Sequence, residues 1–192
     1  MEWTKMSRAQ RERLINAVFY IAQNTSDLVA KKLFKLLYLV DVSHFQATGQ
    51  PFSGLTYHAA KPAPIPEDLA FELESLKPDL AAKIRAEHIV VAGKQRHLIR
   101  PMADATFSDD RIAPAQMQML VDVVKTFGSL DFESIDVGVA DNGAYAGALA
   151  TPGNARRIEF ANVISDSDPY REHKLNAASE YMRRDKFLRA VA

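Results

Sequence analysis

The sequence predicts an α+β fold, mainly α-helical, in which a single domain surrounds a central apolar helix and carries a small antiparallel β-sheet or hairpin. Three observations predict it. Apolar residues recur at helical spacing in two long segments near the N-terminus, two short β-type runs flank a glycine-containing turn, and 192 residues suit one domain of ordinary size. With 47% apolar and 25% charged residues, the composition is that of a globular protein.

Helix one is predicted over Ser7–Gln23, where apolar residues recur every three or four positions. Arg8, Arg11 and Arg13 are placed toward solvent, and so is the second basic cluster at Arg183–Lys186, because acids or polar residues interrupt both clusters. Lysine plus arginine and aspartate plus glutamate number 24 each, so the formal net charge is zero. A duplex-binding protein usually carries a basic excess or stripe, and a nucleic-acid partner is therefore disfavoured.

Helix two follows the Asn24–Asp27 segment, whose short side-chain oxygens are expected to cap its first amides. It continues to Thr48, and Gly49 is placed as its C-terminal stop. On a helical projection almost the whole circumference is apolar, and only a narrow polar arc remains. That arc holds Lys31, Lys32, Lys35 and Ser43.

Asp41 falls inside the apolar arc of this helix, between Leu37 and Phe34. An ionised carboxylate left alone there would be strongly destabilising, so it requires hydrogen bonds or open surroundings. One interpretation is a structural anchor that accepts hydrogen bonds from backbone amides of the Gly49–Tyr57 loop. The other is a recognition or catalytic acid at the floor of a groove. The anchor is favoured, because buried polar groups are usually paired within the fold.

The segment between Gly49 and Pro66 holds two glycines and four prolines, which require extended or turn backbone. Within it, Leu55–Ala59 is predicted to form a short strand. Pro66 is placed as the first residue of a helix over Glu67–Leu76, and a second short helix is predicted over Pro78–Arg85.

Two β runs around the Ala92–Gln95 turn, which contains Gly93, predict a hairpin over HIVVAGKQRHLIRPM. Downstream, a further helix opens within Asp109–Pro114, carries apolar residues at helical spacing, and is closed by Gly128. The hairpin and this helix complete the predicted core of the domain.

The last third of the chain is predicted to be helical in part over Ser129–Ala150, followed by a short strand or a loop at Glu159–Ile164. A charged helix over Glu172–Val191 ends the domain. It is expected to turn five apolar side chains toward the protein: Leu175, Ala178, Tyr181, Met182 and Leu188.

Motifs of catalysis and cofactor binding are absent: there is no phosphate-binding loop, no dinucleotide fingerprint, no HExxH and no nucleophile elbow. There is no cysteine, and the five histidines lack the close spacing on one helix that is common in metal sites. We therefore predict no catalytic residue, no cofactor and no metal site. One alternative stays open, in which Asp41 converges with His44 and His58 as a metal site or an acid–base pair.

Three segments in order resemble the Panacea domain of the SocA-like antitoxin family: KKLFKLLYLVD at Lys31–Asp41, GQPFSGLTYHA at Gly49–Ala59 and APIP at Ala63–Pro66. That family carries a K-L-L-Y-L-x-D helix, a G-x-P-x-[ST]-G-x-x-Y-x-A segment and a G-P-[VI]-P turn into a helix. Ala63 stands where the family usually has glycine, and the segment after Gly128 departs from the family's pattern.

The resemblance implies one Panacea-like domain over residues 1–192, with its signature region at 31–66 and a variable C-terminal part at 129–192. It implies a bacterial or phage antitoxin of a toxin–antitoxin system, which binds a cognate protein toxin encoded next door and catalyses nothing. The positions carried over, as scaffold or partner-binding residues, are Lys35, Tyr38, Asp41, Pro51, Gly54, Tyr57, His58, Pro64 and Pro66.

Because a signature shared among antitoxins for different toxins suits the scaffold, selectivity for the toxin is expected on the variable parts. These are the N-terminal tail with Trp3, the Ala92–Gln95 turn and the segments after Gly128. The resemblance does not name the toxin or the surface that binds it.

Other functions stay open on sequence grounds. An adaptor that presents a partner to a protease would use the same surface, and a small enzyme would use Asp41 with His44 or His58. A DNA-binding autoregulator would use the first two helices, joined by the short Asn24–Asp27 connection. A homo-oligomer is also open. The polar start and the lack of a long apolar run predict no membrane segment and, without cysteine, a cytoplasmic location.

Overall fold

The structure is a computed structural model that describes residues 6–91, 93–135, 143–152 and 156–190. Seven α-helices and one 3₁₀ turn are described over these ranges: α1 (Arg8–Gln23), α2 (Ala30–Thr48), α3 (Glu67–Glu72), α4 (Pro78–Ala81), α5 (Pro114–Phe127), α6 (Gly143–Ala150), the 3₁₀ turn (Phe160–Val163) and α7 (Arg171–Ala190). Two antiparallel pairs of strands join them: β1 (Tyr57–Ala59) with β2 (Pro64–Pro66), and β3 (Ile84–Val91) with β4 (Lys94–Pro101). The predicted α+β, mainly helical class is confirmed.

Helix α2 lies at the centre of the fold. Every residue from Lys32 to Val42 is buried, and the helix contacts α1, α5, α7, the 3₁₀ turn and strands β2 and β4. Apart from Ala63, the buried apolar side chains of the described residues belong to one cluster around it. A helix enclosed on all sides is apolar all round, which accounts for the almost uniform hydrophobicity of its sequence.

The prediction that the polar arc of α2 faces solvent is wrong, because Lys32 and Lys35 are buried. The Lys35 ammonium group donates a 2.8 Å hydrogen bond to the backbone carbonyl oxygen of Phe132 and lies 3.2 Å from the centroid of the Phe132 ring. Phe132, at the start of a short helical turn over residues 132–135, therefore covers Lys35. Lys31 is exposed as predicted.

The N-terminus of α2 also differs from the prediction. Its N-cap is Val29, which offers no side-chain hydrogen bond, and the Asn24–Asp27 segment does not cap it. Leu28 and Val29 are held by β4 instead: the Ile99 amide donates to the Leu28 carbonyl over 2.7 Å, and Val29 forms a bridge with Leu98. Tertiary pairing with the hairpin thus sets where the helix begins.

Helix α1 begins at its N-cap Ser7 as predicted, but two of its three arginines are not solvated. The Arg11 guanidinium group donates two hydrogen bonds to the Glu72 carboxylate, over 2.5 and 2.8 Å. It donates two more to the Asp79 carboxylate, over 2.7 and 2.8 Å. Arg13 is half-buried, with its guanidinium carbon 5.4 Å from the Phe52 ring centroid. Arg11 therefore ties α1 to α3 and α4, while Arg8 alone of the three is exposed.

Residues 64–66 form strand β2, so Pro66, which was predicted to be the first residue of a helix, is the last residue of a strand instead. Tyr57, His58 and Ala59 pair with Pro66, Ile65 and Pro64, respectively. Proline cannot donate to a ladder, and among the described strands β2 pairs with β1 alone, so a Pro-Ile-Pro strand fits at this position. Helix α3 accordingly starts at Glu67 and ends at Glu72, shorter than predicted.

The hairpin is confirmed and is longer than predicted, since β3 begins at Ile84 and takes the residues that would have ended helix α4. Gly93, in the turn, has a φ of +74°; the neighbouring turn residue Ala92 lies outside the described residues. Helix α5 begins at Pro114, with the Gln116 side chain accepting from the Ala113 amide, and Gly128 follows its last residue.

The C-terminal third is helical in part as predicted, with residues 136–142 outside the described ranges. Residues 160–163 form the 3₁₀ turn, and Arg157 just before it bridges His58 of β1. On α7, Ala178 is buried, whereas Met182 is 46% exposed and does not pack into the core as predicted. The side chain of Leu188 lies outside what the structure describes. None of the described helices combines the length and the apolar character needed to cross a bilayer.

Candidate functional site

Asp41 lies fully buried in the middle of α2, and its carboxylate is enclosed by donors from the loop that follows the helix. The Ser53 amide donates to Oδ1 over 2.6 Å, and the Ser53 hydroxyl group donates to Oδ2 over 2.5 Å. The Tyr57 hydroxyl group donates to the same Oδ2 over 2.7 Å. The Ser53 oxygen in turn accepts from the Leu55 amide over 3.0 Å. This geometry is that of the anchoring interpretation, with side-chain donors added to the expected backbone amide.

The environment of Asp41 shifts its protonation. Burial raises the pKa of Asp41 from 3.8 to about 6, although the hydrogen bonds from Ser53, Tyr57 and the Phe52 backbone oppose the rise. Burial, together with the charge of Asp41, raises the pKa of Tyr57 well above its ordinary value. Tyr57 therefore stays protonated at neutral pH and remains a donor to the carboxylate.

Arg13 supplies the nearby positive charge. Burial lowers the pKa of Arg13, and attraction to Asp41 opposes that change. Its guanidinium group also lies over Phe52, the residue before Ser53. Attraction between Arg13 and Asp41 thus links α1 to the buried carboxylate, a link that the sequence pattern did not predict because it placed Arg13 toward solvent.

Two glycines shape the loop that wraps Asp41. Gly49 ends α2 with a φ of +75°, and a Cβ atom there would lie 2.1 Å from the Lys174 carbonyl oxygen of α7. Gly54 has a φ of +76°, next to Tyr181 of α7 and Gln10 of α1. Only glycine adopts such a φ without strain, so both positions fix the loop against its neighbours.

An aromatic cluster packs beside the Asp41 cage. Tyr38 lies edge-on to Tyr57 with ring centroids 5.3 Å apart, and Phe160 contacts both rings at 5.7 and 5.9 Å. Tyr145 also packs against Tyr38, and its hydroxyl group donates to the Ala60 carbonyl over 2.7 Å. Phe160 and Tyr145 come from the C-terminal third, and no sequence pattern marked them as partners of the signature residues.

A groove runs along this cluster, between the loop that follows α2 and helix α7. Predicted signature residues Pro51, Gly54 and Tyr57 line one side of it. The other side is formed by the 3₁₀ segment and α7: Arg157, Ile158, Glu159, Phe160, Ala161, Ala178, Tyr181 and Met182. Backbone pairing closes its end, since the Ile158 amide donates to the Tyr57 carbonyl and the Ala59 amide to the Arg156 carbonyl.

The remaining predicted site residues lie elsewhere. Lys35 faces Phe132, and Pro64 and Pro66 are buried in strand β2. His58 points to Glu67, with Nε2 and Oε2 3.4 Å apart. The structure therefore brings Tyr38, Asp41, Pro51, Gly54 and Tyr57 to one region. Pro64, Pro66 and His58 lie in the adjoining strand pair, where Pro66 pairs with Tyr57, and Lys35 lies apart against Phe132.

The suggested convergence of Asp41 with His44 and His58 is wrong. Nδ1 of His44 lies 2.7 Å from the Gln50 carbonyl oxygen, and Nε2 lies 3.0 Å from the Gln116 amide nitrogen. His58 pairs with Glu67 on the outer side of β1. Each histidine is committed to another partner, so neither forms an acid–base pair with the carboxylate.

The first two helices also lack the surface that DNA reading requires. From Lys32 to Val42 no residue of α2 is exposed, and α2 is the helix that a helix-turn-helix would insert into the major groove. The autoregulator alternative built on these helices therefore has no recognition surface.

Comparison with family models matches residues 33–137 to the antitoxin SocA-like Panacea domain, more than half of the chain. All nine predicted signature positions fall inside the match, which continues past the predicted region through the hairpin and α5. Comparison with curated proteins finds no match, and neither does comparison with solved structures. The chain belongs to the SocA-like antitoxin family and carries its Panacea domain.

Proposed function

We propose that this protein is the antitoxin of a toxin–antitoxin pair and neutralises a cognate toxin, encoded by the neighbouring gene, by binding it directly. Family membership carries the proposal, because the family model that matches residues 33–137 is that of the antitoxin SocA-like Panacea domain. The protein performs no reaction of its own in this proposal. In support, both oxygens of Asp41 are occupied by Ser53 and Tyr57, and the carboxylate has no exposed surface that a substrate would reach.

We further propose that the toxin binds at the α7 surface, defined here as Tyr170, Met182 and Phe187 with the adjoining groove. These three side chains are 69%, 46% and 64% exposed. Met182 lines the groove, Tyr170 directly precedes α7, and Phe187 lies in its last turn. Exposed apolar and aromatic side chains are used by protein-binding surfaces. All three residues lie in the C-terminal part, where selectivity was expected.

The two sides of the groove come from different parts of the chain, which supports this assignment. Signature residues from the matched domain form one side, and residues beyond residue 137 form the other. A shared scaffold with a variable opposite wall is suited to a family whose members bind different partners. Because α7 packs onto Gly49 and residues 156–158 pair with β1, we propose that the whole chain acts as one domain.

Co-expression with the neighbouring open reading frame tests the function. The wild-type chain is expected to restore growth and to co-purify with the toxin at a fixed stoichiometry. Growth arrest that persists despite soluble antitoxin contradicts the proposal. Toxin abundance during rescue separates the alternatives, since simple blocking leaves the toxin level unchanged and delivery to a protease lowers it.

Paired variants test the surface. The double variant Met182→Asp and Phe187→Asp is expected to lose rescue and co-purification while keeping the wild-type thermal unfolding midpoint. Phe71→Asp is the matched control, because Phe71 is 61% exposed on α3, outside the α7 surface, and its replacement is expected to leave rescue unchanged. Full rescue by the double variant assigns the toxin to another surface.

A further inference from the structure

We propose that Glu74, His88 and His97 form a binding site for a divalent transition-metal ion, with Zn²⁺ the best suited. The site lies on the hairpin, away from the Asp41 cage and the α7 surface. Neither the family match nor the proposed toxin binding assigns a role to these three residues.

The hairpin register creates the site. His88 of β3 and His97 of β4 are directly opposed, so their side chains share one face of the sheet, and their ring centroids are 4.3 Å apart. Glu74, just after α3, reaches the same face, where its Oε2 lies 3.5 Å from Nε2 of His97. One ligand atom from each residue lies within 4.8 Å of the other two.

These distances suit a metal ion after small side-chain rotations. Zinc binds imidazole nitrogen and carboxylate oxygen at about 2.0–2.2 Å, which places tetrahedral ligand atoms roughly 3.3–3.5 Å apart. Glu74 and His88 are exposed and able to rotate, while His97 is more fixed. Two histidines and one glutamate are a ligand set that zinc uses, and the fourth position is left to water.

His97 gives an independent indication. Its Nε2 atom is buried, the side chain being 16% exposed, and makes no hydrogen bond to any residue that the structure describes; the contact with Oε2 of Glu74 is long, at 3.5 Å. A buried polar atom without such a partner is uncommon, because it loses the hydrogen bonds that water would provide. A metal ion between His97, His88 and Glu74 would satisfy this nitrogen.

The elements that carry the ligands are held in place. Leu98, next to His97, bridges Val29 at the start of α2, and the following amide of Ile99 donates to Leu28. Leu73, next to Glu74, is buried in the core. Two of the three ligands therefore flank residues that pack against the rest of the fold, as a precise site requires.

The ligand types select the type of ion. Lys31, Lys94 and Arg96 line the same hollow as Glu74 and His97, and their charges oppose every divalent ion, so binding depends on the ligands themselves. Hard ions such as Ca²⁺ and Mg²⁺ require several oxygen ligands, and the three residues supply a single carboxylate. Imidazole nitrogen instead favours zinc and the neighbouring transition metals.

Metal titration of the untagged, chelator-treated chain tests the proposal. Titration with Co²⁺ is expected to give the visible absorption of a four-coordinate site at one ion per chain. Calorimetric titration with Zn²⁺ is expected to give the same stoichiometry. Because loss of even an outer-shell partner weakens metal binding roughly 10–100-fold, His97→Gln is expected to weaken it at least about 100-fold. His88→Gln and Glu74→Gln test the other two ligands.

His173→Gln is the control, because His173 is an exposed histidine on α7 and its loss is expected to leave the affinity unchanged. The proposal is overturned if the wild-type chain binds neither ion stoichiometrically. It is equally overturned if His88→Gln and His97→Gln bind as tightly as the wild type. Should a variant fail to fold, the cobalt spectrum and stoichiometry of the wild-type chain still decide the question.

Discussion

The hydroxyl group of Tyr57 donates a 2.7 Å hydrogen bond to Oδ2 of Asp41, joining strand β1 to the middle of α2. The two residues are 16 positions apart, and Ser53 between them donates to both carboxylate oxygens. The loop is thus wrapped around one buried charge. Asp41 acts as an anchor in this arrangement, so its replacement should lower the free energy of unfolding.

Asp41→Ala is expected to lower the free energy of unfolding by roughly 3 kcal/mol or more, because it leaves three buried donors without an acceptor. Asp41→Asn keeps the shape and one acceptor oxygen, so a smaller loss is expected. Urea unfolding measures both. Ser43→Ala, half-buried on the same helix, is the control and should change stability by less than about 0.5 kcal/mol. An Asp41→Ala loss no larger than that of Ser43→Ala would exclude the anchor.

Stability should depend on pH through Asp41 with a defined sign. Because the folded-state pKa of Asp41 is about 6 and its ordinary pKa is 3.8, the native state binds more protons than the unfolded state between these values. The contribution of Asp41 to the free energy of unfolding is therefore fully present below about pH 4. It falls by about 3 kcal/mol as the pH rises through about 6.

The measurement is the difference in unfolding free energy between wild type and Asp41→Asn across pH 4–8, roughly the window of this titration. Subtraction is needed because other acids have lowered pKa values and act with the opposite sign: Glu12, Asp79, Asp131 and Asp168. The difference should decline from pH 4 and level off above about pH 7. A difference that is flat or rises with pH would contradict the raised pKa.

Gly49→Ala should be far more damaging than Gly93→Ala. Both glycines have a φ near +75°, so each substitution carries the left-handed backbone cost of about 1–2 kcal/mol. At Gly49 the added Cβ also meets the Lys174 carbonyl oxygen at 2.1 Å, whereas at Gly93 no atom of the described part of the chain lies within 4 Å. Thermal unfolding should separate the two, and equal midpoints would mean that α7 does not press on Gly49.

Lys35→Ala is expected to destabilise the fold by roughly 2 kcal/mol or more, since it removes a buried side chain and the donor to the Phe132 carbonyl. Lys31→Ala, an exposed lysine on the same helix, should stay within about 0.5 kcal/mol of wild type. Chemical unfolding compares them. Equal small effects would place Lys35 in solvent, as the sequence pattern had suggested.

Much of the candidate site was predictable because its signal is local. The apolar periodicity of α2 placed Asp41 among buried residues, and the glycine after Thr48 marked the turn that brings the loop back. The family motif named Tyr57 and Gly54. Ser53 stood in the same motif as a serine-or-threonine position, and that signal would have identified the second partner of Asp41.

Other parts depended on residues far apart in sequence. Phe132 buries Lys35 from 97 positions away, and Arg11 reaches Glu72 across 61. No periodicity records such contacts, so both cations were placed in solvent. His88 and His97 gave no signal of this kind either, because they are not spaced along one helix and the hairpin brings them together across two strands.

By itself, the sequence determined the mainly helical α+β class, the central apolar helix, the hairpin and the family, since hydrophobic period and short motifs act over a few residues. The tertiary structure decided what encloses α2, which donors surround Asp41, and which C-terminal residues face the signature loop. The physical reason is that burial and pairing depend on which surfaces meet after the chain has folded.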